Sequence, residues 1–279
     1  MKNPTRKEIE KIVSIALKED IGSGDITTDN IMEQDRFITG KFIAKEGGVI
    51  AGLEVARITF ELLDSQIQLS EIIGDGGEVN PGDVFATIAG SARAILRGER
   101  VALNFLQRMS GIATLTRAVV KRISGTQATL LDTRKTAPGL RLLDKWAVRL
   151  GGGQNHRMGL YDMVLIKENH ITFAGGILPA VKRIKQKISK KILIEVEVKN
   201  LAELEETLQA GVDRILLDNM EIDQIKQAVE IAGNQVALEV SGNVNLNNVE
   251  QIAATGVHFI SMGMLTHSVR ALDLSLILE

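Results

Sequence analysis

The chain has 279 residues, 44% of them apolar and 24% charged, with a formal net charge of −2. That is enough apolar material for one large domain or two ordinary ones, and it gives no global attraction to nucleic acid or to an anionic membrane. There is no cysteine, which excludes disulfides, thiolate zinc sites and a cysteine nucleophile, and an aromatic content of 3% argues against a base-stacking surface. The opening MKNPTRKEIEKIV is charged and lacks an apolar signal core, and no apolar run is long enough to span a bilayer, so a soluble cytoplasmic protein is the expectation.

Thr5 to Lys18 carries Ile9, Ile12, Val13 and Ala16 at helical spacing. The turn-rich Glu19–Thr28 follows; its Gly22-Ser-Gly24 has no strand before it and is a poor phosphate loop. From about Phe37 to Gly90 short strand-like runs (ITGKFIAK, IQLSEII, VFATIAG) are separated by Gly and Pro-Gly turns, with one helix from Glu54 to Leu63. Ala94 to Ile123 reads as a long helical stretch, broken near Ser110-Gly111, and the domain boundary is expected within it.

Beyond it, strand-like runs alternate with helical ones, the mark of βαβ units on a parallel sheet. The strands are expected at Ala128–Asp132, Met163–Lys167, Ile192–Val198, Arg214–Asp218, Val236–Ser241 and Phe259–Gly263. The helices at Leu201–Ala210, Ile222–Ala232 and Leu246–Thr255 each stop at a glycine. Six strands are fewer than a complete barrel needs, so an incomplete α/β barrel fits best. The tail, with its LDLSLIL, is expected to pack as a last helix or strand.

The stretch from Leu130 to His170 concentrates Arg134, Lys135, Arg141, Lys145, Arg149, Arg157 and Lys167 among apolar runs. Cations held near a core need partners or an anion, so a concave site for a small, strongly anionic substrate is the first hypothesis. Alternation along the strands points two carboxylates of Ile192–Val198, Glu195 and Glu197, into a closed interior. The same rule puts Leu165 with Lys167, Leu216 with Asp218, and Glu239 with Ser241. The polar members fall at the carboxyl ends of their strands, the active end of α/β barrels. Arg134, Lys135, Lys167, Glu197, Asp218 and Ser241 should therefore converge on one mouth, while Glu195 and Glu239 are better candidates for an internal salt-bridge lattice. Two turns, Val240-Ser-Gly-Asn-Val244 and Ser261-Met-Gly-Met-Leu265, have the form of phosphate seats. Gly151-Gly-Gly153 precedes a loop that presents His156 and Arg157 to a ligand; His170 and His258 read as structural. Glu197 and Asp218 offer hard oxygens to a Mg²⁺ ion held jointly with substrate phosphates, whereas zinc lacks ligands.

The runs EDIGSGDITT (residues 19–28), Gly98-Glu-Arg100, NFLQRMSGIAT (104–114), Asp132-Thr-Arg-Lys-Thr136, GGGQNHR (151–157), Leu165-Ile-Lys-Glu-Asn-His170, Ile194-Glu-Val-Glu-Val198, Leu217-Asp-Asn219 and Thr266-His-Ser268 resemble the quinolinate phosphoribosyltransferase family over nearly the whole chain. Trp146 and Asn243-Val244 depart from the family pattern without touching a reactive position. The resemblance implies an N-terminal α/β open sandwich (residues 1–110, with 270–279 packing on it) joined to an incomplete, about six-stranded barrel (111–269). It implies a Mg²⁺-dependent reaction of quinolinate with phosphoribosyl pyrophosphate, giving nicotinate mononucleotide, pyrophosphate and CO₂ in NAD biosynthesis. Arg100, Arg134, His156, Arg157 and Lys167 would hold quinolinate, with Arg100 contributed by the second subunit of a homodimer. Lys135, Glu197 and Asp218 would engage phosphoribosyl pyrophosphate and its metal, and Ser241, Gly242 and Gly263 its 5′-phosphate. Lys135, Lys167, Glu197 and Asp218 are the catalytic candidates. The alternatives are a pyrophosphorylase of the type associated with molybdenum transport, a Schiff-base aldolase using Lys167, and a non-catalytic sensor of anionic metabolites.

Overall fold

The structure, a computed structural model, describes residues 2–279. In chain order the elements are α1 (Arg6–Ile21), α2 (Ile26–Ile31), β1 (Phe37–Ala44), β2 (Gly48–Val49), α3 (Leu53–Glu61), β3 (Gln68–Glu71), β4 (Glu78–Val79), β5 (Val84–Ser91) and α4 (Ala92–Arg122). There follow β6 (Thr129–Leu131), α5 (Arg141–Leu150), β7 (Val164–Ile166), α6 (Glu168–Ala174), α7 (Ile177–Lys185), β8 (Ile194–Val198), α8 (Leu201–Ala210), β9 (Arg214–Asp218) and α9 (Ile222–Ala232). The chain ends with β10 (Ala237–Ser241), α10 (Val249–Ala253), β11 (Phe259–Ser261), α11 (Met264–His267) and β12 (Leu274–Leu278). Two compact units divide these residues: 2–117 with Thr136–Gly152 and Thr266–Glu279, and Ala118–Lys135 with Gly153–Leu265.

In the first unit an antiparallel sheet runs in the order β12-β1-β5-β3, beside a β2-β4 ribbon. The alternation in β1 sends Phe42 and Ala44 inward, where Phe42 meets Phe60 of α3 edge-on at 6.3 Å and Phe85 of β5 at 5.9 Å. Each of these three rings is fully buried, worth about 1.5–3 kcal/mol apiece. α1 starts with a Thr5/Glu8 capping box, so two of its first N–H groups are satisfied locally. α4 shows no break at Ser110-Gly111. The Ser110 hydroxyl accepts from Ala51 N–H, and a Cβ at Gly111 would lie 2.1 Å from the Arg270 carbonyl oxygen. The glycine admits a neighbouring backbone; it does not end the helix. α5 belongs to this unit too: Arg108 of α4 forks onto the buried Asp144 carboxylate at 2.9 and 2.8 Å. The division expected within the long helical stretch does not account for α5, which joins the first unit through a pair 36 positions apart in the chain.

In the second unit six strands, all parallel, run in the order β6-β11-β10-β9-β8-β7. The sheet is an incomplete α/β barrel: β6 and β7 are its two edges and do not pair. β9, α8 and α9 have the limits expected from sequence. The other strands are shorter by one or two residues in all, at one end or both, and the expected helix over 246–255 shrinks to α10. There Asn245 and Asn248 bond the local backbone, Asn248 Oδ1 accepting from Asn245 N–H at 2.8 Å and both amides donating to the Asn243 carbonyl. Such side-chain bonds compete with the first helical turn.

Candidate active site

The parallel registers set Glu195 between Leu165 and Arg214, Leu216 between Glu197 and Glu239, and Asp218 beside Ser241. One face of the strands thus enters the interior in layers, as alternation requires.

The deeper layer is a closed cluster. Arg214 Nη1 lies 2.7 Å from Glu239 Oε2, and its guanidinium sits 3.9 Å from the centre of the Phe259 ring. The Ser261 hydroxyl donates to Glu239 Oε1 at 2.5 Å. His156 Nε2 is 2.9 Å from Glu195 Oε2 and 3.5 Å from Glu239 Oε1. Both carboxylates are completely buried, and Glu195 Oε1 has no hydrogen-bond partner, with Arg214 Nε 4.0 Å away. Burial, and then the charge of Glu195, push the Glu239 carboxyl up to about 7. Burial raises Glu195 as well, against the pull of Arg214. Two carboxylates around one guanidinium cannot both shed their protons cheaply in this interior. The lattice expected of Glu195 and Glu239 is therefore present, with Arg214 as its cation, while Lys167 pairs with Glu197 at 2.8 Å. Among the described residues, His156, Glu195 and Glu239 are also the one group of three with ligand atoms close enough for a metal, but Arg214 already supplies their positive charge.

The upper layer is the mouth. A cavity of about 310 Å³ is lined by Arg134, Lys135, His156, Arg157, Lys167, Glu197, Asp218, Ser241 and Gly242, together with Thr133, Asn219, Asn243, Glu239 and Ser261. Arg134 and Lys135 follow β6, Lys167 follows β7, Glu197 is in β8, Asp218 ends β9 and Ser241 ends β10. The strand-end residues expected to converge do so. Arg100 and Gly263 are not among the lining residues. Arg100 is an exposed residue of α4 in the first unit. Of the two expected phosphate seats, only the turn after β10 reaches the cavity through its glycine; at the other, Ser261 turns inward to Glu239.

His156 and Arg157 are placed by backbone pairing. Gln154 bridges to Leu131 in parallel, extending β6 into the loop. The buried Asp132 then accepts from His156 N–H at 2.9 Å and from the Asn155 amide at 2.6 Å. Arg157 N–H donates to His156 Nδ1 at 2.8 Å, and Arg157 Nη1 donates to the Met163 carbonyl at 3.1 Å. Burial first, and the nearby Arg134 guanidinium second, hold the Arg157 pKa below its ordinary value. Two like charges drawn together in a half-closed site are relieved by an anion.

Asn219 and Asn243 were given no role in the site by the sequence. Both have φ near 53°, the left-handed region that Asn tolerates, and Asn243 donates to Asn219 Oδ1 at 3.1 Å. Asn219 also donates to Asp218 at 3.0 Å. Gly242 packs against this pair: with φ 95°, a Cβ there would fall 2.2 Å from Asn219 Oδ1. The Asp-Asn step at a strand end is the one local signal of this arrangement. His170 and His258 are structural: their Nδ1 atoms accept from Lys167 N–H and Leu238 N–H.

Fold and site define an α/β-barrel protein with a cation-lined mouth, suited to a small, multiply anionic molecule, at the carboxyl ends of its strands. The descriptions "Quinolinate phosphoribosyl transferase, C-terminal domain" and "N-terminal domain" match residues 112–277 and 25–110. A quinolinate phosphoribosyltransferase (decarboxylating) 1b of Nicotiana tabacum is 44% identical, the match covering 96% of this chain and 82% of that protein. A probable nicotinate-nucleotide pyrophosphorylase (carboxylating) of Bacillus subtilis is 41% identical, with 96% and 93% covered. The structure of the nicotinate-nucleotide pyrophosphorylase from Francisella tularensis superposes with a TM-score of 0.94 at 42% identity, over 99% of this chain and 98% of that one. The chain belongs to the quinolinate phosphoribosyltransferase family.

Proposed function

We propose that the chain transfers the phosphoribosyl group of phosphoribosyl pyrophosphate to quinolinate with loss of CO₂, giving nicotinate mononucleotide and pyrophosphate in de novo NAD synthesis. The observation that carries this reading is the cavity itself: Arg134, Lys135, Arg157 and Lys167 in one small space, facing Glu197 and Asp218 on neighbouring strand ends. A pyridine dicarboxylate asks for several cations, and arginine offers it forked pairing. In this reading Arg134, Arg157 and Lys167 hold the carboxylates. Lys135 holds pyrophosphate oxygens, and the Ser241-Gly242 turn takes the 5′-phosphate; for Gly263 the support is the resemblance alone.

Pyrophosphate departs with the electron pair of its bond to the sugar, leaving an oxocarbenium-like carbon. Glu197 and Asp218 stabilise that charge, and the ring nitrogen, fixed by the carboxylate contacts, supplies the new bond. The quaternary nitrogen then draws the electron pair of the adjacent C–CO₂ bond, and a proton replaces the carboxyl group. No protein nucleophile is required. Lys167 in particular is paired with Glu197, which argues against a Schiff base. Glu197 and Asp218 each spend one oxygen on a protein partner and keep a second hard oxygen, so they suit Mg²⁺ held with the substrate phosphates, whose charge it would neutralise.

We propose a homodimer in which Arg100 completes the dicarboxylate seat of the partner. Its support is the open β7 edge, where an apolar cavity of about 430 Å³ adjoins Arg157 and where Leu160, Tyr161 and Phe173 are 75–88% exposed. The cytoplasm is the compartment we propose; among the described residues no helix is long and apolar enough to cross a membrane.

The test is direct. Purified protein with quinolinate, phosphoribosyl pyrophosphate and Mg²⁺ should form nicotinate mononucleotide, and nicotinate in place of quinolinate should not serve. Folded protein that turns over neither would discard the reading in favour of the molybdenum-linked pyrophosphorylase or the sensor.

A further inference from the structure

We infer that His156 is an uncharged positioning residue for Arg157, and that its ring does not act as a cation on a substrate carboxylate. The inference deepens the reading above and rests on it for the identity of the substrate. Three observations carry it. Arg157 N–H donates to His156 Nδ1 at 2.8 Å, so that nitrogen bears a lone pair and no proton. The ring's single proton is then on Nε2, which faces Glu195 Oε2 at 2.9 Å. Both ring nitrogens therefore have protein partners, in a side chain that is only 7% exposed. Protonating Nδ1 would set one N–H against another across 2.8 Å and release the Arg157 backbone.

The surroundings fix this tautomer from several elements. Glu195 comes from β8 and Glu239 from β10, and Glu239 is held by Ser261 of β11 and Arg214 of β9. Asp132, after β6, holds the His156 backbone N–H. Arg157 and, beyond it, Arg134 are cations on the cavity side, which Lys135 and Lys167 also line. The Glu195 and Glu239 carboxylates attract a charged ring through Nε2, but the added proton would fall on Nδ1, which accepts from the Arg157 N–H. A neutral ring keeps the Arg157 backbone and the Met163 contact of its guanidinium in register with Arg134. Glu195, Glu239, Arg214 and Ser261 thereby become the foundation of the dicarboxylate seat without touching the substrate.

The test is made on the full chain. Its four histidines are labelled with ¹⁵N, and the His156 signals are assigned by their loss in His156→Asn. One ring nitrogen should show the protonated and the other the unprotonated shift from about pH 6 to about pH 8, with or without quinolinate. A doubly protonated ring, in the free protein or on adding quinolinate, overturns the inference, whatever the enzyme's activity. Kinetics give a second reading. His156→Ala should raise KM for quinolinate about tenfold, the effect of losing one well-made hydrogen bond, with KM for phosphoribosyl pyrophosphate little moved. In His156→Asn the amide oxygen replaces Nδ1 as acceptor and recovers most of the loss. A cationic role predicts that Asn is as poor as Ala. Should neither variant fold, the wild-type spectrum decides, its signals assigned through variants of the other histidines. If the protein fails to turn over quinolinate, the proposed function falls while the tautomer is still read.

Discussion

Asp75 shows at a single residue how the fold sets a charge. Its carboxylate accepts from Gly52 N–H at 2.8 Å and Leu53 N–H at 3.0 Å, capping α3 from a distant turn. Burial outweighs these bonds and lifts its pKa from 3.8 to about 6. The folded chain therefore keeps a proton that the unfolded chain has released. Stability from this group is present below pH 3.8 and is lost as pH rises toward 6, by about 3 kcal/mol in all. Asn at this position cannot ionise, and its Oδ1 still accepts both N–H groups. Asp75→Asn should flatten the fall in stability between about pH 4 and pH 6 that the wild type shows in urea unfolding. An unchanged slope would mean that the carboxylate ionises there at no cost. Glu239, with its pKa near 7, obeys the same sign, but its effect is spread over Glu195, Arg214 and His156.

At the level of elements, α4 turns on one glycine. Mid-helix Gly costs about 0.5–1 kcal/mol relative to Ala, so propensity alone favours Gly111→Ala. The Arg270 carbonyl lies where the methyl would go, and it is backbone. We expect Gly111→Ala to destabilise by roughly 2–4 kcal/mol, as overpacking does, and thermal unfolding of the two proteins measures it. A rise in Tm would show that the segment before β12 yields. The same position explains what the sequence could tell. α8 and α9 were legible to the residue, because Asn200, Gly211 and Gly233 are local stop and start signals. So were the mouth carboxylates, since alternation alone points Glu197 and Asp218 inward. The continuity of α4, the attachment of α5 through Arg108 and Asp144, and the pairing of β12 with β1 depend on residues far apart in the chain. In the site, Asn219 and Asn243 matter through a left-handed backbone, and the role of His156 through a carboxylate 39 residues away. Periodicity carries neither kind of information.

For the molecule as a whole, the cations of the mouth and the exposed Arg100 pose one question: whether a site is built from one chain or two. Of the four cations that line the cavity, Arg134, Arg157 and Lys167 are assigned to the dicarboxylate seat, and Arg100, also expected there, is an exposed residue of α4 that is not among the lining residues. In a two-fold dimer each site would take Lys167 from one chain and Arg100 from the other. Arg100→Ala and Lys167→Ala homodimers should then both be nearly inactive, since every site lacks one cation. Unfolded and refolded together, the two variants form mixed dimers in which one site has lost both cations and the other has lost neither. Equal mixing should recover about a quarter of wild-type activity, half the dimers having one intact site of two. Mixing without subunit exchange should recover nothing and serves as the control. If Arg100 serves its own chain, each variant ruins its own site in every dimer and co-refolding recovers nothing either, provided that sedimentation shows the mixed dimers have formed. A positive result would make dimer formation a condition of catalysis, and activity would fall on dilution below the dissociation constant of the dimer, with the folded chains intact.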